Sequence, residues 1–577
     1  MPALQRDMGD AHVTATDNGH VNGHATNGTL SSSETTNGVH KVDDDLDVVI
    51  VGAGFAGCYL LYKLRKAGFK TKMVEAGSDL GGVWYWNSYP GARVDSQYPI
   101  YAYSLPEVYE DWTWTSHYPD HVELRQYFAH VDKKLHIKKD TVFNAKVVSA
   151  DFDEATNKWT LTCDTGQKFR ATHFIASLGF AAKRYFPDWE GLDSFEGVIH
   201  HSSFWPHEGV DVRGKRCAVI GTGATGVQIT QEWAREIGDD GDLKMFQRTP
   251  NLACPMRQVY LTPEQQEKDK KNYPELFNER WNNYNGFLYQ YRAEMMFDYT
   301  PEERKEFFEM LWNMGGFRFL MNNYYDMTRE LKANREAYNF WRDKVRERVK
   351  DPVKAELLAP WDPPHPFGAK RLSLEQDFYD HFNRPNVHVV DMKSNPIVRF
   401  EPGGIRQQDG TFHELDIIAL ATGFDSITGG LKDIAIRGVG GSLLSDKWKT
   451  GTWAYLGLTT SGFPNFWFTY GPHAPTAFSN GPSCVEIQGD WLVELFSLMR
   501  ETGQSRADAR PDAEDEWRAL VKELSLKGVR GHTDSWYNGA NIPGKPKEPL
   551  NYAGGIPQYI KTLAEVKGQG YKGFEIQ

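Results

Sequence analysis

Two short, mostly apolar runs, Leu46-Asp47-Val48-Val49-Ile50-Val51 and Arg216-Cys217-Ala218-Val219-Ile220, read as buried strands, and each leads into a glycine-rich turn. Thr71–Val74, His173–Gly179, Leu243–Phe246 and Val387–Val390 have the same character, whereas Val142–Val148 and Lys158–Cys163 resemble an antiparallel excursion. Between about 260 and 360 the pattern changes. Stretches such as Pro301–Met314 and Arg329–Lys350 carry apolar and aromatic residues at helical spacing, which predicts a helical insertion whose aromatic stripes pack helices and could wall a cavity. Leu415–Gly423 reads as a further buried strand ending in a tight turn, expected to complete the first sheet late. Helical patterns follow near 484–500 and 512–527. An aromatic, Gly-rich loop at about 531–555 is long for a passive connection and fits a mobile lid.

The turns themselves are Gly52-Ala53-Gly54-Phe55-Ala56-Gly57 and Gly221-Thr222-Gly223-Ala224-Thr225-Gly226, both GxGxxG. Each needs glycine for the bend, for backbone approach to a pyrophosphate, and for packing of the following helix on its strand. One such turn is a weak signal; a pair, each preceded by a strand, points to two dinucleotides. After the first, strand Thr71–Val74 ends at Glu75, where a carboxylate accepts hydrogen bonds from a ribose 2′-hydroxyl, as FAD or NAD requires. After the second, Leu243–Phe246 runs into Gln247-Arg248-Thr249, placing a cation and a hydroxyl where a 2′-phosphate would sit. FAD is therefore assigned to the first turn and NADPH to the second. For Arg248 the alternative is a solvated strand-end charge.

Composition narrows the rest. A chain of 577 residues accommodates several domains, and its net charge of -12 argues against nucleic acid or an anionic membrane as the main partner. Residues 1–43, rich in Asn, Gly, Thr, Ser and His without an apolar stretch, read as a disordered tail. Five cysteines with no CxxC remove support for structural metal, a disulfide framework or dithiol redox chemistry. No apolar run reaches membrane-spanning length, so a cytoplasmic location is the expectation.

Two longer motifs carry a family resemblance. Gly81-Gly82-Val83-Trp84-Tyr85-Trp86-Asn87-Ser88-Tyr89-Pro90-Gly91-Ala92-Arg93-Val94-Asp95 and Phe195-Glu196-Gly197-Val198-Ile199-His200-His201-Ser202-Ser203-Phe204-Trp205-Pro206 resemble the fingerprints of class I (FAD- and NADPH-dependent) Baeyer–Villiger monooxygenases. The likeness runs from about 44 to about 560 and includes Lys370-Arg371, Ala421–Asp425 and Ser535-Trp536 through Lys545. Val83 stands where Thr is usual and Ser88 where Arg is common. The resemblance implies an α/β fold with two Rossmann-like dinucleotide-binding domains, for FAD and NADP, and a helical insertion. The expected divisions are 44–185 and 396–577 for FAD, 186–259 and 361–395 for NADP, and 260–360 for the insertion.

The implied activity is insertion of one atom of dioxygen beside a ketone carbonyl, through a flavin C4a-peroxide, to give an ester or lactone. Both the oxygen nucleophile and the tetrahedral adduct are anionic, so a fixed cation is needed; Arg371 is the matching residue and Asp95 its partner. Around the flavin the resemblance places Val83, Trp84, Tyr85 and Trp86 with Asp95, Ser96 and Tyr101. On the nicotinamide side it places Arg93, Val94 and Asp95, then Thr222, Gly223, Ala224, Thr225, Gly226, Val227 and Gln228. Arg248, Thr249 and Lys370 face the 2′-phosphate, and Trp536 folds over bound nucleotide. Packing is the alternative for each aromatic, above all Tyr85. His201 is read as supporting the junction of the two units, not catalysis. Partners are a small ketone and dioxygen, and the chain is expected to be a monomer or weak oligomer. An N-hydroxylating or heteroatom-oxidising flavin monooxygenase and a non-enzymatic flavin-binding redox sensor are the alternatives.

Overall fold

The computed structural model describes residues 42–577. The expected tail lies outside the described residues up to position 41, and backbone pairing begins at Val42, opposite Lys168. Strand Val42–Val51 is central to the first sheet, parallel to Thr71–Val74 on one side and Lys168–Ala176 on the other. Val48, Val49 and Ile50 are fully buried, as a parallel strand covered on both faces requires. The antiparallel excursion is present as Val147–Asp153 and Lys158–Cys163, joined to Lys168–Ala176. Its expected first strand is split: Thr141–Val142 continues the parallel edge, and the chain then turns before Val147.

The second sheet has five parallel strands in the order Val387–Asp391, Asp242–Gln247, Arg216–Ile220, Ile417–Leu420 and Val198–His201. This corrects one expectation. The strand within Leu415–Gly423 does not complete the first sheet; it inserts between Arg216–Ile220 and Val198–His201 in the second, so the return of the chain to the FAD-side unit falls after about residue 422 instead of at 396. A short, wholly apolar strand is compatible with either sheet, and its composition does not specify which neighbours it takes. The first sheet is completed instead by Ala435–Arg437, beside Val147–Asp153, and Phe466–Phe468, beside Lys168–Ala176.

The insertion is built of helices joined by loops, the longest loop spanning 283–295, with Pro301–Met314 and Leu331–Arg348 as its longest helices. Pro301–Met314 starts sharply because Thr300 accepts from Glu303 N while the Glu303 carboxylate accepts from Thr300 N, with Pro301 at the first helical position. Its buried face, Phe308, Leu311 and Trp312, meets Phe319 and Phe340. Trp341 Nε1 donates to Ala253 O at 2.8 Å, anchoring the longer helix to the second unit.

The two chain crossings between the sheets lie side by side. Tyr185 N donates to Gly423 O, Asp425 N to Lys183 O and Ile427 N to Phe180 O. His201 fastens them: its Nδ1 accepts from Ser203 N and its Nε2 reaches Gly423 O, both at 3.1 Å. Burial, reinforced by Arg184, pushes its pKa down to about 4, so it is a neutral, satisfied histidine at the junction.

Candidate active site

Both glycine turns have the geometry their motif demands. A Cβ on Gly57 would stand 1.9 Å from Gly52 O, and one on Gly226 2.0 Å from Gly221 O, so only glycine lets each helix close on its strand. The helices that follow, Phe55–Lys66 and Ala224–Glu236, have no side-chain cap and no acidic residue in the first turn. Their leading N–H groups and positive dipole ends are left for an anion.

Around the turns the two halves differ. Beside the first, Glu75 is buried, its Oε2 accepting from Ala53 N and its Oε1 from Gly77 N, both at 2.7 Å. Burial raises its pKa and the backbone donors oppose that rise. Gly82 closes over this turn: its own Cβ would lie 2.7 Å from Gly54 Cα. Beside the second, nothing lies within 4 Å of a Cβ on Gly223, and Arg248 at the end of strand Asp242–Gln247 is exposed. Lys370 has its pKa lowered by burial and then by the positive charge of Arg248, so two cations converge here, and the negative charge of Asp534 opposes that lowering without reversing it. Thr249 holds the turn, accepting at its carbonyl from Thr222 Oγ1.

The first fingerprint spans these halves. Gly81 N donates to Ala53 O of the first turn, while further along Tyr89 OH donates to Gln228 Oε1 and Gln228 Nε2 to Arg93 O on the second helix. Thr225 Oγ1 donates to the Tyr89 hydroxyl. The second fingerprint packs on the first: Phe204 N donates to Trp86 O, their rings stand 4.2 Å apart, and Ser88 Oγ donates to Trp205 O. Ser88 thus faces the other motif, and Val83, in the short helix Val83–Trp86, is exposed. Trp84 Nε1 donates to Tyr101 OH at 3.1 Å, which brings two expected flavin neighbours together. Tyr85 turns away to Ser78 Oγ and the Arg125 guanidinium, a packing role. Val94 and Ser96 are buried, Val227 packs in the core, and Arg93 directs its guanidinium to Tyr118 O.

At the end of that fingerprint the chain delivers Asp95 to Arg371. The pair is bidentate, Nε to Oδ2 and an Nη to Oδ1, both at 2.7 Å, with another Nη donating to Ala477 O. Burial pulls the guanidinium pKa down and Asp95 more than reverses this, so Arg371 stays above an ordinary arginine and is permanently charged. Its 30 % accessible surface faces an internal cavity walled by Phe287, Phe317, Leu320 and Met321 from the insertion and by Phe478 and Tyr537 from the C-terminal part. Apart from Tyr537, which falls within the Ser535–Lys545 stretch, none of these wall residues is singled out by a motif in the sequence.

The loop of 531–555 is docked over the site. Asn541 Nδ2 donates to Phe424 O, and Lys545 Nζ to Asp425 Oδ1 and Ser426 O, which ties it to the crossing between the sheets. Trp536 stacks on Phe180 at 5.3 Å and 14°, and Tyr537 packs edge-on against Phe478. All five cysteines are buried and unpaired, and burial raises each thiol pKa. Among the described residues no cluster could hold a metal ion, and no helix is long and apolar enough to cross a membrane.

Residues 46–266 match the family model described as pyridine nucleotide-disulphide oxidoreductase. With no cysteine pair present, what is shared is the two-dinucleotide scaffold. The FAD-binding monooxygenase acrE of Aspergillus aculeatus is 45 % identical over 547 residues, covering 95 % of this chain and 92 % of that protein. The cyclopentanone 1,2-monooxygenase of Comamonas sp. is 45 % identical over 537 residues, covering 93 % and 97 %. A Baeyer–Villiger monooxygenase of Pseudooceanicola batsensis is 35 % identical over 539 residues, covering 93 % and 97 %. Among solved structures, OTEMO in complex with FAD and NADP superposes with a TM-score of 0.88 at 34 % identity, covering 93 % of this chain and 100 % of that one. The chain belongs to the FAD-binding Baeyer–Villiger monooxygenases.

Proposed function

We propose that this protein is a type I Baeyer–Villiger monooxygenase: ketone, dioxygen, NADPH and a proton give an ester or lactone, water and NADP⁺. The observation that carries this reading is the Arg371–Asp95 pair, set at a cavity wall by a segment that joins the two dinucleotide units.

The residues present fit both nucleotides. The first turn, with uncapped helix Phe55–Lys66 and the buried Glu75 carboxylate, holds the pyrophosphate and ribose of FAD. Each Glu75 oxygen accepts from a backbone N–H, and a carboxylate oxygen has more than one lone pair to offer, so the pair can also meet ribose hydroxyls. Val83, Trp84, Trp86, Asp95, Ser96 and Tyr101 line the flavin side. The second turn, with Thr222 through Gln228, takes NADPH, whose 2′-phosphate relieves the repulsion between Arg248 and Lys370 beside Thr249. Trp536 closes over the nucleotide. When bound, these cofactors supply reducing equivalents and activate dioxygen.

The chain's own contribution is electrostatic. Arg371 cannot lose its proton, and Asp95 fixes its plane by two hydrogen bonds, so an anion forming in the cavity meets a charge already in place. Losing such a donor costs on the order of 3 kcal/mol, roughly a hundredfold in rate. The docked 531–555 loop and the aromatic wall keep water from the reacting atoms.

The direct test supplies purified protein with NADPH, labelled dioxygen and a panel of cyclic, linear and aryl ketones. One labelled atom per ester or lactone is expected. Labelled N-oxide or sulfoxide from heteroatom substrates with no ester from any ketone would replace this reading by the heteroatom-oxidising one.

A further inference from the structure

The cavity beside Arg371 has an apolar side, already described, and a polar side formed by Arg530 and Asn285. Arg530 lies at the start of the docked loop. Its guanidinium stacks over the Phe478 ring at 4.4 Å, its Nε is buried without a hydrogen-bond partner in the chain, and among the described residues no carboxylate forms an ion pair with it. Asn285, 6 % exposed, likewise has a buried Oδ1 with no partner. No Asp or Glu lines the cavity. Asp95 neutralises Arg371, so Arg530 leaves the cavity with one uncompensated positive charge.

Buried polar groups left unpaired cost free energy, and a protein keeps them where a ligand completes them. A guanidinium held over an aromatic ring keeps N–H groups whose fork matches a carboxylate. From these observations we infer that the preferred substrate is a ketone carrying a carboxylate, its carbonyl directed at Arg371 and its carboxylate held by Arg530, with Asn285 completing the polar end. Arg530 is then a specificity-determining residue. The inference rests on the monooxygenase reading and adds the substrate class.

The test compares (2-oxocyclopentyl)acetate with its methyl ester, measuring labelled lactone from labelled dioxygen. For the wild-type protein, kcat/KM for the acid should exceed that for the ester by roughly ten- to a hundredfold, and added salt should erode the preference. In Arg530→Leu the acid-to-ester ratio should fall at least roughly tenfold, mostly through KM, with Arg530→Lys in between because an ammonium lacks the fork. The wild-type ratio and its salt dependence stand without any variant, so a misfolded Arg530→Leu does not remove the test. A wild-type preference for the ester, or equal KM increases for both probes in Arg530→Leu, would overturn the inference alone. An Arg530→Leu defect confined to the KM for NADPH would also overturn it, by assigning the residue to the nucleotide. Absence of labelled lactone from acid, ester and simple ketones alike would sink the oxygenase reading, and the inference with it.

Discussion

The two glycine turns share one backbone design and differ in what surrounds them. At the first, Gly82 packs on Gly54, and Glu75 is buried and bonded to two backbone N–H groups. At the second, Gly223 faces open space, Arg248 is exposed and Lys370 is left with a like charge beside it. A closed, hydrogen-bonded cradle suits a cofactor that stays; an open one with two converging cations suits a nucleotide that comes and goes. The motif therefore specifies what kind of group binds, while its neighbours set how long that group remains.

Four measurements sharpen or break this contrast. The largest effect is expected from Glu75→Ala, which leaves Ala53 N–H and Gly77 N–H unpaired and removes the ribose acceptor. The flavin-to-protein absorbance ratio should fall roughly a hundredfold, and stoichiometric flavin would show that the first cradle is not what retains it. Next, Arg248→Ala should keep flavin and raise the KM for NADPH roughly thirtyfold, with the KM for NADH within about a factor of two. Equal changes for both nucleotides would erase the phosphate assignment.

Lys370 gives a smaller, pH-dependent effect. Its pKa is lowered by burial and by Arg248, and its cationic form is the one that binds phosphate. In the free enzyme kcat/KM for NADPH should therefore fall, by about three- to tenfold, as pH rises, at lower pH than an ordinary lysine would require. Lys370→Arg should abolish that fall; a fall of the same size in Lys370→Arg would assign it to another group. The smallest effect concerns the crossing between the halves. His201 titrates near 4 when folded and near 6.5 when unfolded, so its contribution to stability is complete above 6.5 and is lost as pH drops toward 4. His201→Gln should reduce the acid-induced drop in melting temperature by about 2 °C, and an unchanged drop would remove His201 from that role.

Much of the scaffold was legible because its signals are local. Strand, glycine turn and helix follow one another within the chain, and Pro301–Met314 keeps its expected limits because Thr300, Pro301 and Glu303 fix the start. The strand Ile417–Leu420 was legible as a strand but not as a member of the second sheet, since four buried apolar residues fit either set of neighbours. Arg371 and Asp95, separated by 276 positions, could be paired only through long motifs, as nothing in either residue's own surroundings names its partner. Asn285 and Arg530 were silent because a cavity wall gathers single residues from distant segments and follows no period.

The central claim is that Arg371, clamped by Asp95, supplies the charge for oxygen transfer and is not needed for either nucleotide to bind. Arg371→Ala should be purified with FAD, be reduced by NADPH, and consume labelled dioxygen. Label in the ester should nevertheless fall at least roughly a hundredfold, with the reducing equivalents recovered as hydrogen peroxide. Label in the ester at the wild-type level would contradict the role given to this residue.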